Sequence, residues 1–345
     1  MREINVHEFT NALNDSFRRY LATTNLIADS EPNLRDKIWE QLGVPNFFAR
    51  DPLVTSIPAY KPSVTGKSIL GSSKFPSLSS ALSRLNPEEF DLGRPLYDHQ
   101  LSALEKAQKG KNIIVATGTG SGKTECFLLP VLNDAAKHPE PGVRTIIIYP
   151  MNALANDQID RLRRLLKDLP EITFGRYTSE TPYTRENLKN EPPDGILPNE
   201  RFTREEIQSE PPHILLTNFA MLEYLLLRPR DNNIFKQNVL KFVVLDEAHS
   251  YNGAQGIDIS LLMRRLSERY NHKNLQFILT SATLSEDESD ESREKIANFG
   301  QCLTGREFGS EDVIFGEAVH GFDENLQPLS KEQILQAVRN EDGLN

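Results

Sequence analysis

From residue 94 onward, short apolar runs alternate with longer stretches of helical spacing. The runs are NIIVA, TIIIYP, ITFGRYT, HILLTN, FVVLDE and QFILTSA. Runs that are apolar throughout predict strands buried on both faces, and the helical stretches between them predict crossovers. The fold class expected is therefore α/β, a parallel sheet flanked by helices. Upstream, FTNALNDSFRRYLA and NLRDKIWEQLG carry helical periodicity, and a Pro/Ser/Gly-rich connector follows over residues 51–80. A polar, Pro-rich insertion over 182–212 reads as an excursion from the core. The acidic SEDESDESREK after TSAT reads as a solvated loop entering a helix.

Composition narrows this picture without redirecting it. Hydrophobic residues make up 38% and charged residues 26% of 345, ordinary values for a globular chain. No apolar run approaches the roughly 18 residues of a membrane span, and the N-terminus is too polar for a signal peptide. Cys126 and Cys302 form no CxxC pair or metal spacing, so reduced, buried thiols in the cytoplasm are expected. The net charge of −10 would oppose a polyanionic partner if it were spread evenly, but it is localised. Residues 284–345 hold 15 acidic against 5 basic side chains, which leaves the body neutral and open to local basic surface.

Two segments carry chemistry. In NIIVATGTGSGKTECFLLPVL an apolar strand enters a glycine-rich turn, and GKT opens an apolar helix. Glycines at 118, 120 and 122 let backbone N–H groups of Thr119, Gly120, Ser121 and Gly122 curl around phosphate oxygens, with the helix N-terminus aimed at the same anion. Lys123 can reach the β- and γ-phosphates of ATP, and the Thr124 hydroxyl can ligand Mg2+. Thr117 departs from the pattern, standing where GxxxxGKT has its first glycine. In KFVVLDEAHSYNGAQG a strand delivers two carboxylates to its C-terminal end, where ligands of parallel sheets gather. Asp246 can hold the magnesium through water, and Glu247 can orient and deprotonate an attacking water. Lys123, Asp246 and Glu247 are thus the catalytic candidates. His249 either couples nucleotide state to other segments or caps local structure.

With both anchors in order, residues 94–283 resemble the superfamily 2 DExH-box helicases, which implies a RecA-like P-loop lobe. LYDHQ is similar to that family's adenine-recognition segment, implying Tyr97 and Gln100 beside the base. YPMNALANDQ, TNFAMLEYLLLRP and TSATL resemble motifs Ia, Ib and III. By position these nominate Pro150, Asn152, Asn156, Gln158, Thr217 and Asn218 for the nucleic-acid backbone, and Ser281 and Thr283 for coupling. They are mostly hydroxyls and amides after strands, suited to phosphate contacts without base readout. GRYTSET adds Arg176 and Thr178 as weaker candidates for strand contact. Together with GAQGIDISLLMRRL, these segments look like large bacterial helicases of the MrfA type and helicase subunits of anti-phage systems such as Druantia and DISARM. That resemblance implies DNA as the nucleic acid.

The same resemblance implies a second RecA-like lobe that donates arginines to the γ-phosphate. The 61 residues after TSATL contain no second sheet pattern and no arginine-rich QxxGRxGR-like motif. The organisation expected is a helical accessory region over 1–88, a RecA-like domain over 89–310, and an acidic linker over 311–345 toward a missing lobe. Two functions remain open. One is an ATP-dependent helicase or translocase lobe completed by another lobe. The other is a non-catalytic ATP- and nucleic-acid-binding subunit of a larger assembly.

Overall fold

The structure is a computed structural model that describes residues 6–24, 32–42, 59–118, 120–187, 195–270, 275–282 and 289–319. The chain forms two compact units, Met1–Ile57 and Pro58–Asn345. In the first, helix α1 (Val6–Thr24) meets α2 (Pro32–Leu42), the two expected helices. The Arg18 guanidinium lies 4.3 Å from the Trp39 ring centroid and donates to the Trp39 carbonyl at 2.7 Å, joining the helices.

The second unit opens with β1 (Ala59–Tyr60), β2 (Pro62–Thr65), the single turn α3 (Gly66–Ile69), β3 (Pro95–Tyr97) and α4 (Asp98–Gln108). Strand–helix units then follow: β4 (Ile113–Ala116) with α5 (Lys123–Lys137), and β5 (Thr145–Tyr149) with α6 (Asn152–Leu165). Next come β6 (Phe174–Tyr177), β7 (Glu200–Arg201) with α7 (Arg204–Ser209), and β8 (Ile214–Asn218) with α8 (Phe219–Leu227). The unit ends with β9 (Phe242–Leu245) and α9 (Gly253–Arg269), β10 (Gln276–Ser281) and α10 (Asp290–Thr304), β11 (Val313–Phe315) and β12 (Ala318–Val319). Eight strands form one sheet in the order β11-β4-β10-β9-β5-β8-β6-β7, and every pairing in it is parallel. After β5, the chain returns to insert β9 and β10 between β5 and β4. This brings the ends of β4, β9 and β10 side by side.

The six apolar runs are all strands of this sheet, and their burial explains their composition. Successive residues point to opposite faces. Ile113 and Val115 face a core built with Leu104, Phe127 and Leu162, whereas Ile114, Ile146 and Ile148 face one built with Leu222, Leu262 and Ile296. Both faces are dry, so a polar residue is costly in either register.

The compact unit reaches beyond the expected 89–310 on both sides. Ile69, Phe75, Leu82 and Leu85 are buried in the first core, which makes residues 59–88 part of this unit rather than a separate region. Downstream, Val313–Phe315 runs parallel to β4 as an edge strand, within the stretch expected to be linker. Three and two residues are too few for periodicity to reveal, which hid β11 and β7 alike. The insertion over 182–212 also rejoins the core. Glu200 is buried in a bidentate pair with Arg163 at 2.6 and 2.8 Å, and the Asn199 amide donates to the carbonyls of Leu166, Leu169 and Ile172. Cys126 is buried as expected, but Cys302 is exposed on α10. Among the described residues, no helix is long and apolar enough to cross a membrane.

Candidate nucleotide and nucleic-acid site

Between β4 and α5 the backbone is left-handed at Gly120 (φ 76°) and Gly122 (φ 73°). A Cβ at Gly122 would lie 2.4 Å from Gln100 Nε2 and push that amide aside, and the left-handed conformation itself favours glycine there. Thr119 lies outside the described residues. Thr117 and Ser121, both buried, share a hydroxyl–hydroxyl hydrogen bond of 2.6 Å across the loop. The threonine at the first position thus ties the two ends of the turn together. Lys123 is 9% exposed; its Nζ donates to the Thr117 carbonyl at 3.3 Å and stands 3.7 Å from Glu247 Oε1. Thr124 follows in the first turn of α5, half-buried.

The carboxylates sit at the end of β9. Asp246 accepts a hydrogen bond from Thr280 Oγ1, while the Glu247 N–H donates to that same hydroxyl oxygen at 3.2 Å. Burial, and the Glu247 charge secondarily, raise the Asp246 carboxyl above its ordinary value, although the Thr280 bond opposes them. Glu247 occupies left-handed backbone, φ 49°. For a non-glycine residue that conformation costs on the order of 1–3 kcal/mol, and such strain gathers at functional positions. Glu247 Oε2 is buried and accepts no hydrogen bond, though His249 Nδ1 lies 3.3 Å away. His249 Nδ1 also meets Ser281 Oγ at 3.1 Å, bridging the ends of β9 and β10. Thr283 lies outside the described residues. A half-buried carboxylate at Asp246 and an orphaned carboxylate oxygen at Glu247 are oxygen donors of the kind that fits a hydrated hard cation. Among the described residues, no cluster of three or more His, Cys, Asp or Glu side chains offers an all-protein metal cage.

Beside the loop, Gln100 has a structural task that its sequence position did not disclose. Its amide donates to the Gly122 carbonyl at 3.1 Å and accepts from the Tyr97 N–H at 2.9 Å. Sequence reasoning also missed three residues here. His99, buried, has Nε2 2.8 Å from the Ser121 carbonyl and stacks on Tyr97 with centroids 5.4 Å apart. Tyr60 packs edge-on to His99 at 5.3 Å, its hydroxyl 2.8 Å from where a Gly118 Cβ would be. The third is Thr280. Thr280, as the first residue of TSAT, and His99, inside LYDHQ, each had a local signal; Tyr60 had none.

At the ends of β5, β6 and β8 the backbone-contact candidates meet in one network. Asn218 Nδ2 donates to Asn152 Oδ1 at 2.7 Å, and its own Oδ1 caps α8 by accepting from the Met221 N–H at 2.8 Å. Asn152 and Asn156 both donate to Glu180, and Arg176 donates to Asn156 Oδ1. Thr217 is fully buried, its hydroxyl donating to the Tyr177 carbonyl at 2.7 Å, and Thr178 is equally buried. Neither threonine side chain is therefore on the surface. Pro150 and Gln158 are half-buried at the end of β5 and on α6. A cavity of about 590 Å3, lined by Asp134, Arg144 and Lys241 among others, opens at the opposite end of the sheet's strands and contains none of these residues.

Comparison with known proteins gives the family and the fold. The DEAD/DEAH box helicase family matches residues 97–291. Druantia protein DruE of Escherichia coli (strain UMEA 4076-1) is 30% identical across 87% of this chain and 21% of its own length. The uncharacterized ATP-dependent helicase YprA of Bacillus subtilis (strain 168) is 30% identical across 60% of this chain and 25% of its own. Of solved structures, DUF1998 helicase MrfA bound to DNA superposes with TM-score 0.56 at 25% identity, over 75% of this chain and 31% of MrfA. Mycobacterium smegmatis helicase Lhr bound to ssDNA and AMP-PNP shares the fold, with TM-score 0.53 at 22% identity over 73% of this chain and 29% of Lhr. The chain spans about a fifth to a third of the length of these relatives. With more than half of its residues matched by the family model, the chain belongs to the DEAD/DEAH box helicases.

Proposed function

We propose that this lobe binds Mg-ATP at the ends of β4 and β9 and couples its hydrolysis to movement along a DNA strand held over β5 and β8. The carrying observation is the meeting of Lys123, Asp246 and Glu247 beside a left-handed glycine loop at the start of α5. The loop N–H groups of residues 119–122, the α5 N-terminus and Lys123 take the phosphates. Thr124 and Asp246 would hold the cation, which neutralises phosphate charge when bound. Glu247 orients the water and accepts its proton, and its strained backbone keeps that carboxylate aimed. Tyr97 and Gln100 border the base. His249, Ser281 and Thr283 link the nucleotide edge to the strand edge.

On the strand edge, Pro150, Asn152, Asn156, Gln158 and Asn218 line the backbone path, with Thr217 supporting them from beneath. Amides there contact phosphates without reading bases. MrfA has been crystallised bound to DNA and AMPPNP, which supports DNA as the strand. The lobe works opposite a second RecA-like lobe, supplied by further polypeptide or a partner chain. An arginine from that lobe contributes roughly 1,000- to 100,000-fold in rate.

The test is ATP turnover with single-stranded DNA, duplex DNA and RNA, with and without a second-lobe protein. Slow turnover alone, raised strongly by the second lobe with single-stranded DNA, is the expected result. Efficient unwinding by the isolated 345-residue chain would overturn the need for a second lobe. Absence of turnover in the assembled form, with ATP still bound, would favour the non-catalytic subunit.

A further inference from the structure

The strand edge holds a carboxylate where a polyanion is expected. Asn152 Nδ2 donates to Glu180 Oε1 at 3.2 Å, and Asn156 Nδ2 donates to Oε2 at 3.1 Å. Arg176 NH1 lies 3.6 Å from the same Oε2 and is fixed by its bond to Asn156 Oδ1. The donors are held from behind: Asn218 donates to Asn152, and α6 carries Asn152 and Asn156 one turn apart. The Glu180 side chain is 48% exposed while that of Arg176 is 18% exposed, so the anion is on the solvent side and the cation beneath it. The turn bearing Glu180 is itself tied down, with the Thr178 N–H donating to Thr181 Oγ1 at 2.9 Å and that hydroxyl donating to the Arg176 carbonyl at 2.8 Å. The backbone of the turn is thus anchored, and the side chain is the part free to leave.

Two amide donors and a guanidinium around a two-oxygen anion have the valence of a site for one phosphodiester group. We propose that Asn152, Asn156 and Arg176 form a single phosphate site, occupied in the free lobe by Glu180 and taken over by a backbone phosphate when a strand binds. This inference rests on the nucleic-acid reading above and adds the place and the competitor. Sequence-independent backbone binding then includes an exchange of one anion for another. The carboxylate lowers affinity for every strand equally.

The test uses the full chain and a fluorescent oligo(dT), with affinity measured by anisotropy across a range of salt concentrations and folding checked by thermal melts. Glu180→Gln keeps the shape and removes the charge, and it should tighten binding about 3- to 10-fold at low salt. Arg176, no longer neutralised, should add about one counterion released, steepening the salt slope by about 0.7 for a single strand. Glu180→Ala should act in the same direction, Asn152→Ala should weaken binding, and the distant Glu311→Gln should change neither slope nor affinity. Wild-type binding that weakens with Asn152→Ala, alongside equal or weaker binding by both Glu180 variants, would overturn this inference alone and make Glu180 a positioning residue. Binding insensitive to Asn152→Ala, or no binding by any variant, would overturn the strand path as well.

Discussion

The two halves of the sheet's C-terminal edge solve opposite problems. At β4, β9 and β10, charged groups are held by backbone and hydroxyls: Lys123 by the Thr117 carbonyl, and Asp246 by Thr280. Lys123 Nζ stands 3.7 Å from Glu247, which keeps an orphaned oxygen. At β5, β6 and β8 the side chains spend their valences on each other, Asn218 on Asn152, Asn152 and Asn156 on Glu180. The first half leaves a carboxylate oxygen without a hydrogen-bond donor. The second must give up bonds to make new ones, so its affinity is a small difference between similar terms. In the function proposed above, that contrast would let the nucleotide half and the strand half differ in how readily each exchanges its partner.

The sharpest way to break the contrast is at Glu247. Glu247→Gln should retain nucleotide binding while hydrolysis in the assembled, active form falls on the order of 100- to 10,000-fold. Retained turnover would show that another group takes the proton. Next in size, Lys123→Ala should weaken Mg-ATP binding by about 1.5–3 kcal/mol, because a charge-assisted contact is lost. Equal affinities by calorimetry would remove the phosphates from this loop.

At the strand half, Asn218→Asp separates two tasks of one residue. A carboxylate can still cap the Met221 N–H, so stability should hold within about 0.5 kcal/mol. Donation to Asn152 is lost and a negative charge added, so oligo(dT) affinity should fall about 5-fold. Matched losses in chemical denaturation would instead assign the effect to folding. The smallest effect concerns stability at the nucleotide half. Burial raises the Asp246 carboxyl, so the folded form binds its proton more tightly than the unfolded chain does. The resulting penalty is absent below the ordinary value of 3.8, grows as pH rises through the folded value, and is complete above it. Asp246→Asn should therefore raise Tm at neutral pH, with the gain shrinking as pH falls toward 3.8. A lower Tm at neutral pH would mean that the Thr280 bond outweighs burial.

Legibility followed contiguity. The six central strands were readable because burial on both faces demands unbroken apolar runs. The glycine loop and the paired carboxylates were readable because each is built from neighbouring residues on one turn of backbone. The α5 start and the left-handed Gly122 follow from GSGKT itself. Asn152, Asn156, Thr217 and Asn218 were placed at strand ends by motif order, but not which of them reaches the surface. Thr217 proved to be buried support.

Sequence alone therefore determined the sheet, the loop and the identity of the charged groups, since each depends on local pattern and backbone geometry. Tertiary structure decided what those groups touch. Tyr60 and His99 reach the phosphate loop from upstream of it in the chain, and Thr280 reaches Asp246 from 34 residues away. Glu180 meets Asn152 across 28 residues. No local pattern encodes such pairs, because they depend on which strand ends the crossovers bring side by side. Whether a polar side chain becomes a ligand contact or a partner for its neighbour is settled there, by distance.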